Sequence, residues 1–514
     1  MHIPALLTER FADALGRCSF ASQLNDPNAF AAMIRPAGNP KFGDYQANCA
    51  MPIAKLVEGA NPREIAGQII DQLKVDDLCE SPDVAGPGFI NLRLSNTFLQ
   101  QMMVRMIDDP RCLVEAAATP KRILIDYSSP NVAKPMHVGH IRTTVIGNCL
   151  AKTLRFLGHD VITDNHLGDW GTQFGIIIYG YKHFGDPEAV AQNPIGELAK
   201  LYRIVHQLMG YQKAKKNLPE LVQEQQRLTD MHAQATAEAE AASGKDAKKK
   251  RKAAESLSKK LTVTRSAIKS AEKTIASVEN DPVMKKCADE HPDLNGAVLN
   301  ETSKLHAGDK ENQRLWHEFL PHCKDEINRI YNRLNVTFDH TLGESFYHPM
   351  LGELVDDLIE RGLATESDGA ICLFLDQFEA PMIIRKRDGA FLYATTDLAT
   401  LEYRQQEFAP DEVLYVVDAR QSEHFEKLFA VANLIGLNRA KLVHVSFGTV
   451  LGEDGKPMKT RSGSLIGLES LLDEAVDAAF SVVCNPDRLV KLQPPMDESE
   501  MKQVAETIGI AAIK

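Results

Sequence analysis

The stretch that most constrains the fold is residues 122–140, RILIDYSSPNVAKPMHVGH, which passes from a short apolar run through a polar loop into a predicted helix. Residues 123–125 are typical of a buried parallel strand. The helix is predicted to start at the HVGH motif of residues 137–140 and to run to about Leu157. Because the first N–H groups of a helix have no partner within the helix, this strand–loop–helix order predicts an anion-binding site.

The HVGH motif brings two imidazoles and a glycine to the predicted helix start. The imidazoles supply hydrogen-bond donors, and Gly139 leaves room for a flat ring to approach the backbone. Taken alone, H-x-x-H also fits a pair of core or surface histidines, and a metal site would need a third ligand. Residues 452–456 have the wrong spacing for a P-loop, and no GxGxxG follows a strand, which argues against kinases, NTPases and dehydrogenases.

The chain resembles the arginyl-tRNA synthetases, a class I aminoacyl-tRNA synthetase family. HVGH is similar to the HIGH signature of class I, and its flank SSPNVAKPM together with GDWGTQFG (168–175) is similar to the arginyl enzymes in particular. The resemblance covers most of the chain except residues 205–285. It implies a Rossmann-like α/β catalytic domain with a parallel sheet, and ATP-dependent ligation of L-arginine to tRNA(Arg) through an arginyl-adenylate, with release of AMP and diphosphate.

The resemblance also implies an arginine site that contains two acids, Asp126 and Asp397, in one cleft. A guanidinium is planar, permanently charged and rich in donors, so a carboxylate fork beside an aromatic ring and a hydroxyl suits it. Without the resemblance, Asp397 would be interpreted as a carboxylate stabilised by a helix dipole. The arginine-binding residues that the resemblance implies are Asp126, Ser129, Pro130, Asn131, His140, Tyr393, Asp397 and Gln421.

A second loop, KPMKTRSG at residues 456–463, resembles the KMSKS loop of the family but departs from it. Aligned on Met458, the usual second lysine is Thr460, and cations stand at Lys459 and Arg461 instead. Cations on a mobile loop suit the charge that builds on departing diphosphate, although a solvated loop has the same spacing. The resemblance implies ATP binding with Mg²⁺ on the nucleotide, and it assigns ATP contacts to His137, Gly139, His140, Met458 and Lys459, and catalysis to His137, His140, Lys134, Lys459 and Arg461.

The N-terminal region is predicted to be a small α+β module. A turn at residues 43–44 is expected to lead into a helix that contains Ala47, and residues 89–94 alternate as a strand. FGDYQAN and AGPGFINLRL resemble the N-terminal domain of the family, which implies contact with the corner of the tRNA by Tyr45, Gln46 and Asn48. The alternative is that these three are turn and cap residues.

Residues 205–285 are predicted to be an inserted coiled-coil hairpin. Apolar residues of the second arm recur at alternating spacings of four and three, and Ser243 to Lys245 form the turn, with Pro282 as the end of the second helix. A lysine-rich run at 248–252 lies near the tip; a solvated run is preferred over contact with RNA phosphates. The predicted seam comprises Leu221, Leu228, Met231 and Ala235 in the first arm and Leu257, Leu261, Thr264, Ile268, Ala271, Ile275 and Val278 in the second.

In the second half, a strand at 381–386, a turn at 388–389 and a return strand at 391–393 are predicted to precede a helix capped by Thr395. A buried strand follows at 413–417. Helices are predicted at 310–334 and 351–361. The expected domains are an N-terminal additional domain (1–115), the first half of the catalytic fold (120–204), the hairpin (205–285), a connecting insertion (286–378), the second half with the KMSKS-like loop (379–480) and the start of a C-terminal helical region (481–514).

Composition limits the cellular compartment and the partners that we expect for the protein. No apolar run approaches the ~18 residues that span a bilayer, and nine cysteines without a C-x-x-C pair favour reduced cytosolic thiols and argue against a structural metal. We therefore expect a cytoplasmic monomer that does not contact membranes. The net charge of −12 is not typical of a protein that binds nucleic acid. Binding depends, however, on the electrostatic field near the binding surface rather than on the total charge.

The chain ends in a predicted helix where the family continues into an anticodon-binding domain, so a fragment, or a protein that works without that domain, is expected. Two alternatives stay open: a weakly active synthetase-like module that binds tRNA or a partner, and a class I synthetase of other amino-acid specificity.

Overall fold

The computed structural model describes residues 3–451, 467–485 and 496–514, and for Lys245 it describes the backbone only. The chain forms two compact units, Met1–Pro120 with Leu154–His159, and Lys121–Thr153 with Asp160–Lys514. No helix within the described ranges is long and apolar enough to cross a membrane.

The first unit combines helices with a four-stranded antiparallel sheet in the order β1-β2-β4-β3. Its strands are β1 (Ile34–Pro36), β2 (Tyr45–Ala47), β3 (Asp83–Ala85) and β4 (Phe89–Leu92). Its helices are α1 (Ile3–Arg17), α2 (Pro27–Ala31), α3 (Ala50–Ala54), α4 (Pro62–Gln72) and α5 (Asn96–Asp108), with short 3₁₀ turns at Ala21–Gln23 and Pro40–Phe42.

The predicted α+β character of this unit is confirmed, but the helix expected to contain Ala47 is wrong at its start. Ala47 lies in β2, where it pairs with Ile90 of β4 and is fully buried. Cross-strand pairing therefore overrides the local helical spacing, and the helix begins only at Ala50. The predicted strand is confirmed over Phe89–Leu92, with Ile90 and Leu92 buried in the core, but the alternation is not, because Asn91 on the other face is also buried.

The second unit is built on a parallel sheet of four strands in the order β11-β10-β5-β6. The strands are β5 (Arg122–Asp126), β6 (Asp160–Asp164), β10 (Glu412–Asp418) and β11 (Lys441–Phe447). Leu124 and Val413 share one core with Leu398 and Leu428 of the helices that pack on the sheet. The parallel α/β fold and the strands predicted at 123–125 and 413–417 are confirmed.

The helices of this unit pack around the sheet and form its insertions. They are α6 (Gly139–Phe156), α7 (Thr172–Phe184), α8 (Pro187–Gln192), α9 (Pro194–Ala241), α10 (Gly244–Glu279), α11 (Pro282–Glu290), α12 (Leu294–His306), α13 (Lys310–Arg333), α14 (Glu344–Tyr347), α15 (Leu351–Glu360), α16 (Tyr393–Glu407), α17 (Ser422–Ile435), α18 (Leu468–Val483) and α19 (Glu498–Ile513), with 3₁₀ turns at His348–Met350 and Ala419–Gln421. The helices predicted from HVGH onward, at 310–334 and at 351–361 are confirmed.

A small antiparallel sheet precedes α16 and corrects the predicted hairpin. It contains β7 (Ala364–Ser367), β8 (Ala370–Leu373) and β9 (Met382–Arg385), and the expected return strand at 391–393 is replaced by a single bridge between Arg385 and Phe391. The predicted N-cap is also wrong, because Thr395 lies inside α16, where its N–H bonds to the carbonyl of Leu392. Its hydroxyl donates to the carbonyl of Ile384, which holds the helix start against β9.

The inserted hairpin is confirmed as the pair α9 and α10, although α9 begins earlier than predicted. Leu228, Leu261, Ile268, Ala271 and Val278 are buried along its seam. Two details of the predicted hairpin were wrong. Met231 is 44% exposed rather than part of the seam, and Pro282 begins α11 rather than ending α10. Proline is favoured at a helix start because its missing N–H would lack a partner there anyway.

Candidate active site

A cavity of about 680 Å³ lies at the carboxyl ends of β5 and β10. An open α/β sheet places its ligand crevice at this edge. The cavity brings together most of the residues predicted from the sequence, including both acids. These are Asp126, Ser129, Asn131, His137, Gly139, His140, Tyr393, Asp397 and Gln421.

The remaining predicted residues are not among those that line the cavity. Pro130 is buried and Lys134 is half-buried, and neither lines the cavity. Met458, Lys459, Thr460 and Arg461 lie outside the described residues. In the first unit, Tyr45 and Gln46 are part of β2, where the Gln46 amide donates to Asn91 at 2.8 Å, and Asn48 is half-buried just after the strand.

The loop after β5 has a strained backbone that places its polar groups in the cavity. Ser128 and Ser129 both have positive φ, 74° and 48°. Such left-handed conformations cost free energy in residues other than glycine, so the surroundings must hold them. Here the N–H of Ser128 donates to Thr143 of α6, and its hydroxyl lies 2.7 Å from the hydroxyls of Thr144 and Tyr331.

Two glycines allow this loop to pack closely. A Cβ on Gly147 of α6 would lie 2.2 Å from the ring of Tyr127, so α6 could not approach the end of β5 as it does. A Cβ on Gly168 would lie 2.1 Å from the side-chain oxygen of Asn131. The GDWG segment (168–171) is therefore held beside the SSPN loop (128–131), and the N–H of Val132 bonds to the carbonyl of Gly168 at 3.1 Å.

The two histidines of the HVGH motif are fixed in one tautomer by the backbone. The N–H of His137 donates to Nδ1 of His140 at 3.0 Å, and the N–H of Gly139 donates to Nδ1 of His137 at 3.1 Å. Each Nδ1 therefore accepts, and in the neutral ring the proton must be on Nε2. Burial, followed by the charge of His137, lowers the pKa of His140 to about 3. Burial and Lys134 also lower the pKa of His137. Both rings are thus neutral donors.

We expect His140→Ala to lower kcat for the arginine activation that the resemblance implies about 100-fold, because one preorganised donor to developing charge is removed. The pH profile between 5 and 8 should keep its shape, because His140 with a pKa of about 3 does not titrate there. His140→Gln, whose amide can donate, is the control and should lose less. Steady-state kinetics across pH would contradict the assignment if an ionisation near 6 vanished in both variants.

Asp126 is engaged by an arginine of the protein itself. Arg404 of α16 is fully buried and donates to Asp126 at 2.6 Å and to Asp164 at 2.8 Å. Oδ1 of Asp126 accepts the hydroxyl of Ser129 at 2.9 Å. The three charged groups keep a net charge of −1 at the floor of the cavity. Arg404 was not predicted from the sequence, since its position on α16 matched an ordinary helix residue.

Asp397 and Glu344 form a second acidic pair on the wall of the cavity. Oδ2 of Asp397 lies 2.6 Å from Nε2 of His424, and this contact raises the pKa of His424. Burial, followed by the charges of Asp169 and Asp397, raises the pKa of Glu344 to about 7. Tyr393, 69% exposed, lies at the mouth of the same cavity. A cation placed between the two acids would stabilise both carboxylates in their charged form.

Glu344 is an acidic residue of the cavity that sequence reasoning missed. It opens α14, where a glutamate is ordinary because it complements the helix dipole. Its place in the cavity depends on a contact distant in sequence: Gly343 lies so close to Asp169 that a Cβ would be 2.1 Å from its carboxylate. The useful signal was therefore the glycine before the acid, and only the fold shows what it approaches.

Comparisons with known proteins agree on one family. The chain matches the profile "tRNA synthetases class I (R), catalytic domain" over residues 103–217 and 257–514, and the profile "Arginyl tRNA synthetase N terminal domain" over residues 5–94. It is 57% identical to the arginine–tRNA ligase of Rhodopirellula baltica over all of this chain and 77% of that protein. It is 35% identical to that of Hahella chejuensis over all of this chain and 75% of that protein.

Solved structures show the same likeness in three dimensions. Arginyl-tRNA synthetase from Plasmodium falciparum superposes with a TM-score of 0.60 at 25% identity, covering 99% of this chain and 73% of that one. The Thermus thermophilus arginyl-tRNA synthetase gives 0.59 at 18% identity, covering 100% and 74%, and supports the fold.

Proposed function

Because this chain belongs to the arginyl-tRNA synthetase family and is a class I arginine–tRNA ligase, we propose that the cleft described above forms arginyl-adenylate from arginine and ATP and passes the arginyl group to tRNA(Arg). The match at 57% identity extends over the whole chain, so the alternatives of a weakly active binding module and of another amino-acid specificity are not favoured.

The observation that carries the assignment of substrate is the pair of carboxylates on Asp397 and Glu344 in a cavity large enough for a small molecule. Asp126 shares its charge with Arg404, so it orients Ser129 and adds to the negative potential rather than serving as a free ligand. We assign the guanidinium to Asp397 and Glu344, with Tyr393 beside them. Ser129, Asn131, His140 and Gln421 are assigned to the other end of the amino acid, and Pro130 shapes the loop.

ATP is assigned to the start of α6. The Nε2–H donors of His137 and His140, at the positive end of the α6 helix dipole, suit phosphate oxygens. A carboxylate oxygen of arginine attacks the α-phosphorus, and the bond to diphosphate breaks. The terminal ribose hydroxyl of the tRNA then attacks the arginyl carbonyl, and AMP leaves. Catalysis comes from positioning and electrostatics, because no side chain acts as a nucleophile.

The groups that balance the remaining charges of the reaction are also assigned as proposals. Lys134, Lys459 and Arg461 are assigned to the departing diphosphate, and Met458 to the nucleotide. Mg²⁺ is assigned to the nucleotide as part of MgATP, since no group of three ligating side chains among the described residues could hold a metal ion. We also propose that the enzyme is a cytoplasmic monomer and that Tyr45, Gln46 and Asn48 contact tRNA.

Arginine-dependent ATP–diphosphate exchange, with and without tRNA(Arg), tests the function; no exchange under either condition would overturn it.

We expect Glu344→Gln to raise KM for arginine about 10- to 100-fold, because a charge-assisted hydrogen bond to the guanidinium is lost. KM for ATP should stay within about twofold, since the nucleotide is assigned to the start of α6. Glu353→Gln on the exposed side of α15 removes the same charge outside the cavity and is the matched control. An unchanged KM for arginine would remove Glu344 from the site.

Arginine binding is expected to release protons near neutral pH. Glu344 has a pKa of about 7 in the free protein, and a bound guanidinium favours its ionised form. The pKa of His424 is raised by Asp397, and the same guanidinium favours loss of its proton. Both effects have the same sign, so affinity for arginine should fall as pH drops below about 7, by up to about tenfold per pH unit for each group that binds a proton. Calorimetry in two buffers of different ionisation enthalpy measures the release; proton uptake would contradict it.

A further inference from the structure

The distal hairpin, residues 218–256, belongs to the second unit but lies outside the family profile of the catalytic domain. The profile match stops at 217 and resumes at 257. The two arms here are continuous parts of α9 and α10, and their residues do not line the cleft. The chemistry of the cleft therefore does not account for the distal hairpin.

Charge is distributed very unevenly between the two arms. Residues 248–273 of α10 contain ten lysine and arginine residues and two glutamates, in a chain whose net charge is −12. Residues 218–241 of α9 contain five acidic residues and one arginine. The second arm is thus a strongly basic helix on an acidic protein, and the local field around it has the opposite sign to that of the whole chain.

Pairing between the arms does not account for this charge. Lys250 lies near the seam, 3.7 Å from Glu238 of the facing arm, as coiled-coil flanking charges do. Five other lysines project from positions away from the seam and are exposed. Within the described ranges none of the five has a carboxylate within the 4.0 Å of an ion pair. We call them the basic face: Lys248, Lys249 and Lys252 in the distal hairpin, and Lys259 and Lys269 further along α10, where the profile match has resumed.

The hairpin that carries the basic face is anchored beside the cleft through its first arm, α9. Ile195 and Leu198, at the start of α9, line a small cavity together with Val132 and Pro135, which lie between the SSPN loop and HVGH. The second arm contains 36 residues, which corresponds to a length of about 54 Å. A molecule whose end occupies the cleft can therefore meet the arm further along its length.

We propose that the basic face binds the phosphate backbone of the tRNA whose 3′ end enters the cleft. This inference rests on the proposed function, which requires that end in the cleft. Lysines are flexible point charges that suit phosphates without selecting a base. Lys252 and Lys259 are seven residues apart on one face of α10, which corresponds to about 10.5 Å along the helix axis. The enzyme's own substrate is the polyanion that must come close, so tRNA is favoured over an acidic protein.

The test uses the full chain with Lys248, Lys252, Lys259 and Lys269 changed to Gln. These positions face solvent away from the seam, so the fold should be kept, and circular dichroism checks it. A first control changes the same four lysines to Arg and keeps the charge. A second control makes the same change of charge elsewhere on the second unit, at four exposed lysines: Lys286, Lys310, Lys441 and Lys502 changed to Gln.

We expect the Gln variant to bind a tRNA(Arg) transcript roughly tenfold more weakly at physiological salt, and the slope of log Kd against log salt to fall by about 3, because four phosphate contacts are lost. KM for tRNA should rise with kcat unchanged at saturating tRNA, and a non-cognate tRNA should lose affinity equally. Both controls should behave as the starting protein does. Unchanged Kd and slope, or an equal loss in the second control, would overturn the proposal. If the unaltered protein charges no tRNA, the proposed function fails instead.

Discussion

Asp397→Asn is expected to lower kcat/KM for arginine about 10³-fold, the largest loss of activity that a single change in the cleft should cause. The carboxylate faces a cavity that also contains Glu344, and a guanidinium bound there would lose its main counter-charge. Removing one partner of a poorly solvated ion pair costs about 3–5 kcal/mol. Arginine-dependent ATP–diphosphate exchange measures the loss, with thermal unfolding as a check that the fold is kept.

Citrulline provides the matched control for charge, because it replaces the guanidinium with a neutral group of the same shape. The unaltered enzyme should reject it strongly, while Asp397→Asn should narrow the preference for arginine over citrulline by about 100-fold or more. If the variant uses arginine as well as the starting protein does, the guanidinium does not meet Asp397, and the assignment of the pocket is wrong.

Arg404→Met is expected to have the largest effect on stability. Arg404 is fully buried between Asp126 and Asp164, so its loss leaves two acids without their counter-charge. Breaking such a buried arrangement costs about 3–5 kcal/mol of the free energy of unfolding. Urea unfolding followed by tryptophan fluorescence measures it, because both tryptophans, Trp170 and Trp316, lie in the same unit.

A triple variant separates lost charge balance from lost packing. Arg404→Met combined with Asp126→Asn and Asp164→Asn removes the unpaired charges and should recover part of the stability, because neutral buried groups cost less than ionised ones. If the triple variant is no more stable than the single one, packing of the long side chain explains the loss. If Arg404→Met costs less than about 1 kcal/mol, the charge arrangement is not structurally important.

Much of the fold could be predicted from the sequence because it depends on local patterns. The apolar run at 123–125 and the heptad spacing around Leu261 and Ile268 each reflect burial of one side of an element, and both were correct. Tyr393 was predicted to lie in a return strand because a turn at 388–389 follows the strand at 381–386. It begins α16 because Thr395 bonds across to β9, a contact that the spacing of residues does not contain.

The candidate site could be predicted less completely, for a related reason. Motif residues such as His137 and Asp397 were brought to one cavity as expected from the order of strands and loops. Glu344 and Arg404 were missed because each is an ordinary helix residue until the fold places it beside acids from other segments. Both belong to the electrostatics of the cleft, where one group's role is set by charges that are distant along the chain.

The strand order has a consequence for how the protein is made. Strand β5 pairs with β10, and the N–H of Arg122 donates to Asp411, 289 residues further along the chain. At about 5–20 residues per second, a ribosome takes roughly 15–60 s to synthesise that distance. During this interval β5 presents an apolar edge without its neighbour, and such edges promote aggregation. Nascent chains that stop before Glu412 should therefore depend on chaperones more than the finished enzyme does.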